Sequence, residues 1–195
     1  MRNADTPRLI LASSSPYRRE LLERLGLVFE AISPDIDETP QPGEKATDLA
    51  LRLAHGKASA IMAQQPEALV IGSDQVAECE GRLLGKPGSR ARAIEQLGII
   101  NGRSLLFHTA VAVGRGAAVD TALVTTDVRM RQLTDAQIER YVDQDQPLDC
   151  AGAFKSERAG IALAEYLRSD DPTALVGLPL IQTVRLLSRQ GFELP

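Results

Sequence analysis

The sequence predicts an α/β protein, because short apolar runs typical of buried strands alternate with longer stretches in which apolar residues recur at helical spacing. The clearest helix covers residues 44–64, where the apolar residues lie on one face, and the clearest strand is the continuous apolar run 68–72. With 195 residues the chain is long enough for one large core or for two lobes that share a cleft.

The first elements are marked by their capping residues. Residues 9–12 are predicted to form a short buried strand, and a helix begins with Ser15 as N-cap and Pro16 at its first position. This helix should end near Leu25, because Gly26 provides a C-cap.

The remaining elements follow in order, with no repeat, low-complexity tract or separating linker. They are a strand at 29–32, the helix 44–64, the strand 68–72, a hairpin at 76–84, a helix at 89–97, strands at 105–113 and 117–130, a helix from the capping box at Thr134 to Asp143, and a helix from Pro179 to Ser188. The segment 150–171 is ambiguous. We expect residues 1–195 to form a single domain.

Composition and charge exclude several functions. The chain has 22 basic and 26 acidic residues, 4% aromatic residues and no Trp, which argues against nucleic-acid binding. Its two cysteines are not in a metal-binding or disulfide spacing, and its two histidines do not suggest a zinc site or a Ser-His-Asp triad. The apolar run 9–12 is too short for a signal peptide or a membrane anchor, so we expect a cytoplasmic protein without membrane contact.

Basic residues occupy the first turn of the first predicted helix. Arg18 and Arg19 are unfavourable there, since a helix N-terminus attracts anions, although a single exposed arginine would need no further explanation. Together with Ser13, Ser14 and Ser15 and the free N–H groups of the helix start, they predict an anion-binding site.

Lys57 breaks the pattern of the 44–64 helix, because it falls in the middle of the apolar face. Either its ammonium group extends to solvent along its apolar stem, or it has a buried anionic partner.

Carboxylates lie near two of the predicted strands. Asp74 follows the strand 68–72, and an acidic loop with Asp35, Asp37 and Glu38 follows the strand before it. If those strands are close in one sheet, the carboxylates could share Mg²⁺. An acidic loop alone is usually only solvated. Lys86 by itself is similarly uninformative. Taken together, the basic residues, the serines and the carboxylates suggest a site for a polyphosphate that is held by basic side chains beside a carboxylate-bound metal.

The sequence resembles the Maf-like nucleoside triphosphate pyrophosphatases. The matching segments occur in the family's order over nearly the whole chain: Ala12 to Leu22, Asp37-Glu38, Arg52-Leu53-Ala54 with Lys57-Ala58, Gly72 to Val76, Leu84 to Pro87, Cys150 to Glu157, and Gly177 to Leu180. Each segment alone is weak, and the ordered set is specific.

The resemblance implies a two-lobed ITPase-like fold around a mixed, strongly twisted sheet, with the active site in the cleft between lobes and homodimers common. It implies hydrolysis of a nucleoside triphosphate to the monophosphate and pyrophosphate with Mg²⁺, or alternatively Mn²⁺ or Co²⁺. Asp74 matches the family's proton acceptor. The family's phosphate- and metal-handling residues correspond to Ser13, Arg18, Glu38, Lys57 and Lys86, and both carboxylates are candidate metal ligands.

Three positions separate subgroups of this family. Tyr17, Gln75 and Glu157 depart from the pattern of members acting on dTTP and UTP, and are similar to the subgroup acting on 7-methyl-GTP. An aromatic ring favours a cationic base by about 0.5–2 kcal/mol, and a carboxylate accepts two hydrogen bonds from guanine. The subgroup often has Trp where this chain has Tyr17.

Three alternatives remain at this point. One is a house-cleaning pyrophosphatase for other nucleotides such as GTP, dTTP or UTP. Another is a non-catalytic nucleotide-binding regulator of cell division, which the presence of Asp74, Glu38, Lys57 and Lys86 disfavours. The third is a nucleic-acid-binding domain, which the charge disfavours.

Overall fold

The computed structural model describes residues 7–192, which divide into two compact units. The first unit contains residues 7–75, Thr109–Val124 and 171–192, and the second contains Val76–His108 and Thr125–Asp170. Neither unit is a continuous piece of chain.

The first unit begins with strands and helices close to those predicted: β1 (Leu9–Ala12), α1 (Pro16–Glu23), β2 (Glu30–Ile32), α2 (Ala46–Gln64) and β3 (Leu69–Cys79). Strand β1 pairs in parallel with β2 on one side and β3 on the other, and Ala12 is opposite both Ile32 and Gly72. The carboxyl ends of β1 and β2 and the Gly72 region of β3 therefore lie along one edge of the parallel sheet.

The remaining elements are β4 (Arg82–Leu84), α3 (Arg90–Ile100), β5 (Ser104–Arg115), β6 (Ala118–Met130), α4 (Asp135–Asp145), β7 (Ala164–Arg168) and α5 (Leu180–Arg189). Among the described residues the strand order is β2-β1-β3-β5-β6-β7, with β4 paired to β3. The β3–β4 and β6–β7 pairs are antiparallel. The predicted α/β class with a mixed sheet is confirmed.

Several predicted boundaries are confirmed by their caps. Ser15 and Thr134 accept hydrogen bonds as the N-caps of α1 and α4, and Gly26 has the positive φ expected just after a helix. The ambiguous segment 150–171 contains 3-10 turns at Ala151–Ala153 and Ala159–Leu163 followed by β7.

The predicted end of the strand 68–72 is wrong, since β3 continues to Cys79. Asp74 therefore lies inside a strand rather than after it. A strand can carry buried polar residues at this point because their side chains have partners: Ser73 donates to a backbone carbonyl, and Asp74 accepts from Lys57.

The core of the first unit lies on one face of its sheet. Leu9, Leu11, Leu69 and Ile71 pack there against leucines of α1 and α5. Since side chains alternate along a strand, Gly72 faces the opposite side, where it meets the backbone of α2. The leucines of α1 and α5 thus pack on one face of the sheet, and α2 packs on the other.

No helix within residues 7–192 has the length and apolar composition needed to cross a membrane.

Candidate active site

Lys57 is the centre of a buried charge cluster. Its Nζ donates to Asp74 Oδ1 at 2.6 Å and pairs with Glu38 Oε1 at 2.8 Å. The Lys57 and Asp74 side chains are 8% and 10% exposed, whereas that of Glu38 is 58% exposed. Of the two alternatives for Lys57, the buried anionic partner is the one observed. A charged Lys on an apolar helix face is stable only because two carboxylates compensate it.

Gly72 explains why α2 comes so close to the strand that carries Asp74. A Cβ atom at this position would overlap the carbonyl oxygen of Ala54 and lie 2.6 Å from the nitrogen of Ala58. Only glycine allows this approach. Lys57 follows Ala54 by less than one helical turn, so the same contact brings its ammonium group to Asp74.

Glu38 lies on the acidic loop, whose path could not be predicted from the sequence patterns. Arg52 on α2 donates from Nη2 to the carbonyl oxygen of Thr39 at 3.0 Å and pairs with Glu44 at 2.6 Å. Asp37 accepts from the N–H of Thr39 at 2.9 Å, and its hydrogen bonds with Thr39 lower its pKa. Asp37 thus shapes the loop, and Glu38 reaches the lysine.

Arg52 holds the loop that carries Glu38, and the site prediction did not include it. Its hydrogen bonds to Glu44 lower the pKa of that carboxyl to about 2. Arg52 thus joins both Thr39 and Glu44 to α2. The only signal in the sequence was that Arg52 falls in one of the segments shared with the Maf-like family.

The predicted anion site at the start of α1 is assembled around Arg18. Its Nε donates to the carbonyl oxygen of Gly177 at 2.8 Å, and its Nη1 donates to Ser13 Oγ at 3.4 Å. Ser13 Oγ also accepts from the N–H of Ser15. Arg19, in contrast, is exposed. Within the described range Nη2 of Arg18 donates to no residue, so it can bind an anion.

Arg18 is electrostatically linked to the Lys57 cluster. Burial lowers the pKa of its guanidinium, and the nearby charges of Asp74 and Glu38 oppose that decrease. The arginine stays positively charged, because a guanidinium group keeps its proton in proteins. The site therefore contains two cations and two carboxylates close together.

Tyr17 and Gln75 are carried by α1 and β3, respectively. Tyr17 is half-buried in the first turn of α1, next to Arg18. Gln75 Nε2 donates toward the carbonyl oxygens of Ala174 and Leu175 at 2.9 Å each and lies 3.0 Å from the hydroxyl of Thr109. The amide nitrogen of Gln75 is thus used by the protein itself, and only its oxygen remains to accept from a ligand.

The site supplies two carboxylates, Glu38 and Asp74, that could hold a divalent cation. No group of three or more His, Cys, Asp or Glu side chains in residues 7–192 is arranged to hold a metal. Mg²⁺, however, is usually held by one or two carboxylates plus phosphate oxygens and water. Glu38 and Asp74 meet at one ammonium group and supply two such carboxylates.

The other two predicted site residues, Lys86 and Glu157, lie in the second unit, and both are exposed. The loop of Lys86 is fastened to the segment that leads to Glu157, because the N–H of Gly152 donates to the carbonyl of Gly85 at 3.3 Å. Tyr141 supports the same segment by donating to the Ala153 carbonyl and accepting from the Lys155 N–H.

The charge of Glu157 acts on the Cys150 thiol within this unit. Burial, Asp149 and Glu157 together raise the pKa of the Cys150 thiol to about 12. The thiol is therefore protonated and poorly reactive at neutral pH.

Fold and site together define an α/β protein with a lysine–carboxylate cluster and an arginine anion site at the edge of a parallel sheet, a combination suited to binding polyphosphates. Residues 8–190 match the family described as Maf-like protein. The chain belongs to this family.

Similar proteins of this family share the whole length of the chain. A Bordetella pertussis protein named 7-methyl-GTP pyrophosphatase is 56% identical over 187 residues, which are 96% of this chain and 94% of that protein. Relatives with the same name from Xanthomonas oryzae pv. oryzae and Aromatoleum aromaticum are 55% and 54% identical. They match 97% and 96% of this chain and 100% and 98% of their own.

Two solved structures also resemble the chain. The Staphylococcus aureus Ham1 protein aligns with a TM-score of 0.45 and 17% identity, over 63% of this chain and 71% of its own. A HAM1 protein from Coxiella burnetii aligns with a TM-score of 0.42 and 20% identity, over 64% of this chain and 73% of its own.

Proposed function

We propose that this protein is a nucleoside triphosphate pyrophosphatase that hydrolyses 7-methyl-GTP to 7-methyl-GMP and pyrophosphate, removing a modified nucleotide. The observation that carries the proposal is the buried Lys57 held between Asp74 and Glu38, with the Arg18 anion site beside it. The shared name of the relatives at 52–56% identity supports the choice of substrate.

Asp74 is the proposed proton acceptor. Its Oδ1 is occupied by Lys57, whereas no described residue donates to its Oδ2. A water at Oδ2 can give up its proton there as its oxygen attacks phosphorus and the anhydride bond between the α- and β-phosphates opens. Pyrophosphate leaves with the electron pair of that bond.

The basic residues stabilise charge on the phosphates. Arg18 and Ser13 bind phosphate oxygens through the free guanidinium edge and the hydroxyl, and Lys57 holds Asp74 and Glu38 in place before substrate binds. We assign Lys86 a phosphate contact as well, from its position in the family segment Leu84 to Pro87.

We propose Glu38 and Asp74 as the ligands of a divalent cation, Mg²⁺ first and Mn²⁺ or Co²⁺ as alternatives. When bound with substrate, the cation would neutralise charge on the phosphates. The choice follows from the ligand chemistry, since two carboxylates with phosphate oxygens suit a hard cation.

Base selection is assigned to Tyr17, Gln75 and Glu157. The Tyr17 ring would stack on the cationic 7-methylguanine, and the Glu157 carboxylate would accept from its Watson–Crick edge. For Gln75 we assign this role to the amide oxygen, because the amide nitrogen is already hydrogen-bonded. A cytoplasmic location and a homodimer remain predictions from the sequence.

Product analysis tests this proposal. Incubation with 7-methyl-GTP and Mg²⁺ should give 7-methyl-GMP and pyrophosphate in equal amounts, with no orthophosphate. Orthophosphate as the first product would mean that a different bond is cleaved. Tight nucleotide binding with no product would favour the non-catalytic regulator.

A further inference from the structure

The loop that precedes α5 is built around two polar side chains to which no role has been assigned. Asp171 is fully buried, and its Oδ1 accepts from both the N–H and the hydroxyl of Thr173 at 3.0 and 2.7 Å. Its Oδ2 accepts from the N–H of Ile181 at 2.7 Å, in the first turn of α5. Because the N-cap Pro179 makes no side-chain hydrogen bond, Asp171 caps this helix from outside.

Thr173 closes the loop on itself. Its hydroxyl accepts from the N–H of Leu180 at 2.8 Å and lies 2.9 Å from the carbonyl oxygen of Leu178. The residues between these contacts, 174–178, are therefore held at both ends. They include Gly177, whose carbonyl oxygen is the acceptor for Arg18.

The position of Gly177 is also defined by its backbone and by two strands. Its φ of 120° lies in the region that favours glycine. Ser73 Oγ lies 3.0 Å from its carbonyl oxygen, and Gln75 and Thr109 donate to the carbonyl of Ala174 one turn earlier. The loop is thus hydrogen-bonded to side chains of both β3 and β5.

Arg18 depends on this loop for its orientation. The Nε–H of Arg18 donates to Gly177 at 2.8 Å, a shorter contact than the 3.4 Å bond between its Nη1 and Ser13. Since a guanidinium group is planar, fixing Nε sets the direction of the remaining N–H groups. A shift of the Gly177 carbonyl would therefore turn the edge of Arg18 that is free to bind phosphate.

We propose that Asp171 and Thr173 are positioning residues for phosphate binding, acting through the Gly177 carbonyl to hold Arg18. This inference rests on the proposed function, in which Arg18 binds a phosphate oxygen of the substrate.

The test is a double-mutant cycle between Thr173 and Arg18. Thr173→Val keeps the shape of the side chain but removes the hydroxyl group. Thr173→Ser keeps the hydroxyl group and removes only the methyl group. With Arg18 present, Thr173→Val should raise KM for 7-methyl-GTP and lower kcat/KM by about tenfold, and Thr173→Ser should recover most of this loss. In the Arg18→Gln background, Thr173→Val should change kcat/KM by less than about twofold, because there is no guanidinium group left to position.

Equal losses in both backgrounds would overturn the proposal, because they would show that Thr173 acts on stability or on another group. Thermal unfolding of the wild-type protein and of all four variants is the control. If Thr173→Val does not fold, Asp171→Asn replaces it, since an amide keeps the size and loses the charge that caps α5.

A binding measurement separates this proposal from the proposed function. Inorganic triphosphate, titrated into each variant by calorimetry, reports anion binding without turnover. Weaker binding in Thr173→Val only when Arg18 is present supports the positioning role even if the wild-type protein does not hydrolyse 7-methyl-GTP. Unchanged binding refutes that role even if the enzyme is active.

Discussion

Gly72→Ala should separate α2 from β3 and thereby break the Lys57 cluster. The added methyl group would lie 2.6 Å from the Ala58 nitrogen and closer still to the Ala54 oxygen, where 3.4 Å is the start of ordinary contact. Both atoms belong to the helix backbone, so the helix itself must move by about 1 Å. Such overpacking costs about 1–3 kcal/mol of the free energy of unfolding, and a 1 Å misplacement of a catalytic group can lower the rate about 100-fold.

The assay compares kcat/KM for 7-methyl-GTP with the free energy of unfolding in urea. Gly98→Ala in α3 is the matched control, because no atom other than those of its chain neighbours and of the adjacent helix backbone lies within 4 Å of its added methyl group. This control should keep full activity and become slightly more stable, since alanine favours a helix over glycine by up to about 1 kcal/mol. If Gly72→Ala were as active as Gly98→Ala, the close approach of α2 would not be what positions Lys57.

Three further changes test separate parts of the site. Asp74→Asn should remove most turnover but leave binding of 7-methyl-GTP measurable by calorimetry, because it keeps the shape and removes the base; near wild-type turnover would contradict its role. Glu157→Gln should lower kcat/KM for 7-methyl-GTP more than for UTP, and an unchanged ranking would make Glu157 structural. Glu44→Gln should flatten the pH dependence of the free energy of unfolding between about pH 4.5 and 2. Urea unfolding at several pH values measures this dependence. Because Arg52 lowers the pKa of Glu44 from 4.5 to about 2, this pair contributes fully above pH 4.5 and is lost as the pH falls toward 2. An unchanged slope in the variant would refute this effect.

The sequence predicted the chemistry of the cluster better than its geometry. Lys57 could be recognised from the sequence because a charged residue on the apolar face of a helix needs a partner of opposite charge when it is buried. Which carboxylates provide it depends on the register Ala12–Gly72 between β1 and β3 and on the path of the acidic loop. Both depend on contacts between segments that are far apart in the sequence, and local residue patterns do not identify the partners in such contacts.

Two features could not be seen from local patterns. The continuation of β3 through Asp74 depends on partners for its buried polar residues that come from distant parts of the chain, such as the Gly177 carbonyl 104 residues beyond Ser73. The second is that the Gln75 amide nitrogen is hydrogen-bonded to the backbone carbonyls of Ala174 and Leu175. A residue that looks like a substrate contact in sequence is also part of the scaffold.

The most direct measurement is kcat/KM for pyrophosphate release with 7-methyl-GTP, GTP, dTTP and UTP, each with Mg²⁺ and again with excess chelator. We predict metal-dependent release that is most efficient with 7-methyl-GTP and abolished by the chelator. A higher kcat/KM for dTTP or UTP would contradict the roles assigned to Tyr17, Gln75 and Glu157. Absence of release from every nucleotide would contradict the proposed reaction.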